Sequence, residues 1–256
     1  MRLKTFILLS AWLINSCASN ISYKDAAEIR KAIYWEQPAN AIELFESDTT
    51  RKLESMLTYD QVSPLYEYRS EADSTSEIVY KRKLLLEKVP DQIQSLMTQG
   101  GNEIIFFNGQ ITDQPEFARN KGKIPRGWPK EYTWDKVPLG QSEGFNSVLI
   151  GIKGDYYIID EQTLHEYGHA YDAIMGKTIF GGPISQTSLL SSIKGEYEYQ
   201  LKDYLKHNEE FVAFIFDNYY KSEESKQELK KNMPKAYELL KAIEIAVATN
   251  NYSTKK

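Results

Sequence analysis

A single cysteine, Cys17, stands among the 256 residues, so no disulfide can form within the chain. Whatever holds the fold must come from burial and hydrogen bonding. Positive charge is not in excess either: 31 lysines and arginines face 36 aspartates and glutamates, for a net charge of -5. That balance excludes a sequence-independent nucleic-acid binder, which needs a basic surface to displace counterions from phosphates. No apolar run reaches the roughly 20 residues of a membrane-spanning helix. The run from Thr5 to Ile14 is well short of it, and no later stretch is long enough. Histidine is scarce too, at three. What remains, at 41% hydrophobic and 26% charged, is the composition of an ordinary globular chain with a real core.

The N-terminus carries the first positive signal. Arg2 and Lys4 precede the short apolar run, the layout of an export signal rather than of a permanent span. The stretch Leu13, Ile14, Asn15, Ser16, Cys17 then resembles the lipobox of bacterial lipoproteins, with a small residue before the cysteine and Asn15 as a departure. An exported chain anchored to a membrane by lipid on Cys17 is expected, with secretion of the free protein as the other outcome.

Residues 18–24 read as a polar tether, and Tyr23 to Met56 has helix-like apolar spacing interrupted at Pro38. The charged, serine-rich stretch Tyr66 to Ser76 is the expected boundary between an extension and the main domain. The organisation expected is therefore a signal segment over 1–17, a tether and helical N-terminal extension over 18–76, and the main domain over 77–256.

In that domain a long amphipathic helix is expected from Glu77, with Leu84, Leu85, Leu86, Val89, Ile93 and Leu96 inward, closing near Gly100 and Gly101. Glu103 to Phe107 reads as a strand, Asn108 to Gly144 as a loop region, and Ser147 to Ile152 and Tyr156 to Ile159 as two further strands. Helices are expected at about Asp160 to Met175, Asn208 to Tyr219 and Pro234 to Val247. Helix, strands, then helices indicate an α+β fold: a small mixed sheet packed against helices.

Two of the three histidines fall in the run His165, Glu166, Tyr167, Gly168, His169. Residues four apart on a helix share a face, so the two imidazoles can reach one ion with Glu166 beside them. Asp160 can cap this helix and Gly176 can end it. A catalytic zinc takes three protein ligands and keeps one position open. The third histidine of the extended motif is absent, since Met175 occupies its place, which leaves His207 or a carboxylate. The best source is the apolar helix Asn208 to Phe216, whose first turn carries Glu209 and Glu210. A carboxylate at the inner edge of such a helix needs a compensating charge, whereas one that only favours the helix N-terminus does not. In the chemistry of such sites zinc acidifies water and polarises the scissile carbonyl, and Glu166 takes the proton and passes it to the leaving amine. A tyrosine among Tyr197, Tyr199 and Tyr204 would suit the oxyanion.

Four ordered stretches resemble the anthrax lethal factor-like zinc metallopeptidase domain, the family that includes the Pro-Pro endopeptidases. They are Ile124 to Trp128 with Trp134 to Pro138, then His165 to Asp172, then Glu210 to Ala213, and finally Met233 to Glu238. The resemblance implies one zinc per chain on a second ligand-bearing helix as well as the first, held by His165, His169 and Glu210. It also implies Glu166 as general base and acid, a tyrosine upstream of Glu210 at the oxyanion, and a peptide or protein substrate. Two positions depart from the pattern: Asp203 stands where the family tyrosine falls, so Tyr204 matches with a one-residue gap, and Phe214 replaces a glutamate four residues after the third ligand.

Arg126 and Trp128 are candidates for substrate contacts, against a reading as a turn fixed by Pro125 and Gly127. The strand Ser147 to Ile152 is a candidate edge for an extended substrate. The function expected is an exported zinc endopeptidase; the alternative is a catalytically silent surface lipoprotein that keeps the fold and holds peptides or proteins. A toxin-like component delivered into other cells is disfavoured, because nothing resembles a delivery domain.

Overall fold

The computed structural model describes residues 63–70, 72–125, 130–142, 146–152, 156–195, 197 and 203–253. All lie in the compact unit Asp48–Lys256. The chain enters through strand β1 (Tyr66–Arg69), then runs through helices α1 (Glu77–Leu86) and α2 (Asp91–Gln99) to β2 (Glu103–Phe107). Short 3-10 turns lead on to β3 (Leu139–Ser142) and β4 (Ser147–Gly151). Helices α3 (Tyr156–Phe180), α4 (Ser188–Gly195), α5 (Asn208–Tyr220), α6 (Glu223–Asn232) and α7 (Pro234–Ser253) complete it. No helix among the described residues is long and apolar enough to cross a membrane.

The sheet is mixed, in the order β1-β2-β4-β3, with β3 antiparallel to β4 and the other pairs parallel. Alternation along β2 and β4 divides their side chains between two faces. Ile105, Phe107 and Leu149 pack with Ile111, Phe117 and the half-buried Trp134 from the loop region. On the other face Phe106 stacks with Tyr68 at 5.8 Å between ring centroids and lies 6.0 Å from Tyr66. Helix α3 packs on β3 and β4, and α1, α2 and α5 pack on α3. The architecture is the expected α+β fold.

Several local expectations are corrected. The helix expected from Glu77 to Gly100 is two helices, because Pro90 supplies no N–H and disfavours helical backbone at Val89; it begins α2 instead. Leu84 accordingly sits on the outer side of α1, 41% exposed. Tyr156 to Ile159, a short apolar run of the kind that periodicity cannot assign, is the first turn of α3 rather than a strand. Asp160 therefore lies inside the helix and does not cap it. Gly176 does not end it either: a Cβ there would collide with the backbone of Gly182, Pro183 and Ile184, which folds back against this position.

Within the stretch expected as a loop, Leu139–Ser142 forms the outer strand beside β4. Four residues with a glycine carry no strand signal, and Gly140 is needed because a Cβ would come within 2.8 Å of the Phe117 ring. Ser147 to Ile152 is consequently no edge, since β4 is paired on both sides. The stretch taken as a domain boundary supplies β1, so the sheet starts ahead of residue 77. Helices α4 and α6 complete the differences; α6 is strongly polar and is set by its Ser222 capping box rather than by an apolar stripe.

Candidate metal centre

Helix α3 places His165, Gly168, His169 and Asp172 along one side, at the i, i+3, i+4 and i+7 spacing of a single face. Helix α5 packs along it. Contacts advance together from His165 with Glu210, through Gly168 with Ala213, to Tyr171 with Phe216, so the two helices run in the same direction. Their approach is close: a Cβ on Gly168 would lie 2.8 Å from the Cα of Ala213 and 3.2 Å from its carbonyl oxygen. A glycine inside a helix costs about 1 kcal/mol against alanine. Here it lets the second helix reach the first.

At the head of this contact His165 Nε2 is 3.2 Å and His169 Nε2 3.6 Å from the same oxygen, Oε2 of Glu210. One donor atom from each residue lies within 4.8 Å of the others. The imidazoles meet edge to face at 4.9 Å and 89°. Four donors arranged tetrahedrally at about 2.0–2.1 Å from zinc have edges of about 3.3–3.4 Å. The two observed separations straddle that value, and two imidazoles with one carboxylate make up a donor set of catalytic zinc. The residues fit the ion.

Electrostatics agree. Burial alone would raise the Glu210 carboxyl, yet hydrogen bonds from His165 and His169 hold it far below the usual carboxylate range. For His169 burial disfavours the charged form, but Glu210, Glu166 and Asp172 outweigh it and its pKa is raised.

Glu166 stands beside the donors and is not one of them. Its Oε2 accepts the backbone N–H of Gln141 at 3.0 Å. Gly151 donates to the carbonyl of Pro138. Antiparallel alternation then turns Gly140 and Ser142 towards β4 and the main chain of Gln141 away from it. The edge of the sheet thus meets the metal helix at Glu166.

Behind the donors, buried Asp172 accepts the N–H of Ser185 at 2.7 Å, and the carbonyl of Ser185 accepts Asn208 Nδ2 at 2.9 Å. Asp172 has a raised pKa, chiefly from burial, with the Ser185 hydrogen bonds acting against it. Neither Asp172 nor Asn208 carried a signal as a site residue; each becomes visible only when the turn Ile184–Gln186 is seen between the helices.

Of the residues named from sequence, His165, His169 and Glu210 converge and Glu166 adjoins them. His207 is the exposed N-cap of α5, and the donor group contains neither it nor Glu209. Tyr204 lies in the turn Asp203–Lys206 that leads into α5. Tyr197 accepts the Lys235 N–H, at the start of α7, on its hydroxyl at 3.4 Å. Cys17, Arg126, Trp128 and Tyr199 lie outside the described residues.

Comparison with known proteins gives a family, two similar relatives and a similar solved structure. Residues 50–243 match the family described as anthrax toxin lethal factor, N- and C-terminal domain. The Pro-Pro endopeptidase of Paenibacillus alvei is 32% identical over 162 residues, 62% of this chain and 73% of that protein. The Pro-Pro endopeptidase of Clostridioides difficile is 29% identical over 157 residues, 60% of this chain and 70% of that one. A solved structure of the Paenibacillus alvei Pro-Pro endopeptidase superposes with a TM-score of 0.56 at 26% identity, covering 69% of this chain and 95% of that chain.

Proposed function

The chain belongs to the family of the anthrax toxin lethal factor, N- and C-terminal domain, and on that premise we propose that it is a zinc-dependent endopeptidase. The observation that carries the reading is the convergence of His165, His169 and Glu210 beside a carboxylate, Glu166, that stays out of the donor set. The activity named for both curated relatives supports a peptide or protein substrate.

In this reading a bound zinc ion supplies Lewis acidity towards water and the scissile carbonyl. The side chains do the rest. His165, His169 and Glu210 hold the ion, with 16–18% of each side chain exposed. Glu166 takes the proton of the attacking water and hands it to the leaving amine. The Gln141 N–H fixes that carboxylate before substrate arrives. An extended peptide pairs beside β3, the last strand of the sheet among the described residues, which takes the place of β4 in this role. Tyr204 is proposed as the oxyanion donor because of its position just ahead of α5, and Arg126 and Trp128 as substrate contacts.

Export and lipidation at Cys17 belong to the same proposal, with an N-terminal extension that ends before β1. They rest on the charged start, the apolar run and the lipobox-like stretch. Mass spectrometry of the mature N-terminus from a bacterial host is expected to find a lipid-modified cysteine. An unmodified Cys17 in mature protein would remove the anchor from the account.

Purified full chain, saturated with zinc and dialysed, should retain about one ion per chain, whereas His169→Ala and Glu210→Ala should retain little. The loaded protein should cut members of a peptide library that includes Pro-Pro sequences. Phe214, at the position of a family carboxylate, favours a second reading as a silent peptide-binding lipoprotein. Tight peptide binding by zinc-loaded protein without any cleavage would select that reading.

A further inference from the structure

Glu210 reaches the two histidines from a different helix, so something must fix where α5 stands relative to α3. Apolar contacts below the centre do part of this, with Phe216 packed 4.7 Å from Tyr171 and 6.0 Å from Tyr167. Such contacts are non-directional and tolerate sliding. Hydrogen bonds are directional, and among the described residues one pair of them links α3 to α5 through Ser185.

Ser185 lies in the 3-10 turn Ile184–Gln186, on chain that folds back against Gly176, one helical turn beyond Asp172. Its N–H is taken by Asp172, three residues after His169 on α3. Its carbonyl is taken by Asn208, the first residue of α5 and two before Glu210. The amide of Asn208 is itself held, because its Oδ1 accepts Lys194 Nζ at 2.7 Å and the same ammonium also donates to the carbonyl of Lys206. We propose that Asp172 and Asn208 are positioning residues for the metal centre: they grip the backbone of Ser185 from its two sides and so set the separation at which Glu210 meets His165 and His169.

Asp172 is 5% exposed, and a buried carboxylate is retained at a cost unless its hydrogen bonds serve a purpose. Its bond to a backbone N–H is charge-assisted and short, hence stiff. The grip also uses main-chain atoms of Ser185, so its geometry follows the turn rather than a rotamer. A metal site tolerates donor displacements of only about 0.2 Å, so a small slide of α5 matters far more to the ion than to the core.

This inference rests on the zinc reading above, and zinc affinity of the full chain, measured by competition with a chromogenic chelator, tests both. Wild type should bind zinc much more tightly than His169→Ala. Asp172→Ala, which removes the acceptor, and Asn208→Asp, which removes the donor to Ser185 but keeps an acceptor for Lys194, should each weaken zinc binding by about tenfold or more. Asp172→Asn keeps an oxygen for the Ser185 N–H and should retain most of the affinity. A merely structural role would lower the melting temperature of the metal-free variants and leave zinc affinity alone. Unchanged affinity in Asn208→Asp, or an equal loss in Asp172→Asn and Asp172→Ala, would overturn the grip while the wild type still binds. Wild type no tighter than His169→Ala would overturn the metal reading and this inference together.

Discussion

Replacing Gly168 by alanine adds one methyl group at the closest approach of the two ligand-bearing helices. That Cβ would stand 2.8 Å from the Cα of Ala213 and 3.2 Å from both its carbonyl oxygen and the Cβ of Phe216. Two of the three neighbours are backbone, so no rotamer change relieves them. Ordinary contact begins near 3.4 Å, which requires α5 to back away by 3.4 − 2.8 = 0.6 Å. Overpacking of this kind costs about 1–3 kcal/mol. Alanine returns about 1 kcal/mol of helix propensity, which leaves a net loss of roughly 0–2 kcal/mol. The same 0.6 Å is about three times the tolerance of a metal donor. Gly168→Ala should therefore melt within several degrees of wild type yet bind zinc about 10–100-fold more weakly, as when a group orienting a ligand is lost. The assay is chelator competition beside a thermal melt of the metal-free protein. Wild-type zinc affinity in Gly168→Ala would refute the claim that this approach sets the donor geometry.

The metal-free protein should also report the centre through pH. Glu210 is depressed below its ordinary 4.5, so its contribution is present above that value and is lost as pH falls further. His169 is raised above its ordinary 6.5, so its contribution is full below 6.5 and fades as pH rises through the folded value. Metal-free stability from this pair should peak between the two, and a melting temperature that climbs steadily from pH 6.5 to 8 with no change in His169→Ala would contradict it. Zinc affinity should rise with pH over that upper range, because the ion must displace the proton on His169; titration calorimetry at several pH values reads this directly. Phe216→Ala should cost about 3–5 kcal/mol in a denaturant melt, since the ring is fully buried against Tyr167, Tyr171 and Tyr220. A loss under about 1 kcal/mol would mean that α3 and α5 are not held together there.

The donors were legible because their signal is local. His165, Glu166 and His169 share one helix, and histidine is too scarce for the spacing to be incidental. Glu210 was narrowed by residue chemistry and chosen by resemblance; the structure adds the reason it is within reach, the missing side chain at Gly168. That glycine could have been suspected, as it weakens the helix that must be most regular. Asp172 and Asn208 could not, because their roles depend on a turn between α3 and α4 whose path sequence spacing does not reveal. The β2 and β4 strands were readable as dense apolar runs, while β3 is a strand only because β4 offers it a partner. Tyr156 to Ile159 misled for the opposite reason: an apolar run of four satisfies strand and buried helix alike. Pro90 carried a clear break signal, and it outweighs the apolar period that runs across it.

The central claim is that zinc held by His165, His169 and Glu210 works with Glu166 to hydrolyse a peptide bond. It is tested most directly by incubating zinc-loaded full chain and its Glu166→Ala variant side by side with one peptide library and comparing products by mass spectrometry. Wild type should release defined fragments, and Glu166→Ala, with its zinc retained, should be slower by about 10²–10⁴-fold. No fragments from wild type, or equal cleavage by both proteins, would contradict the account.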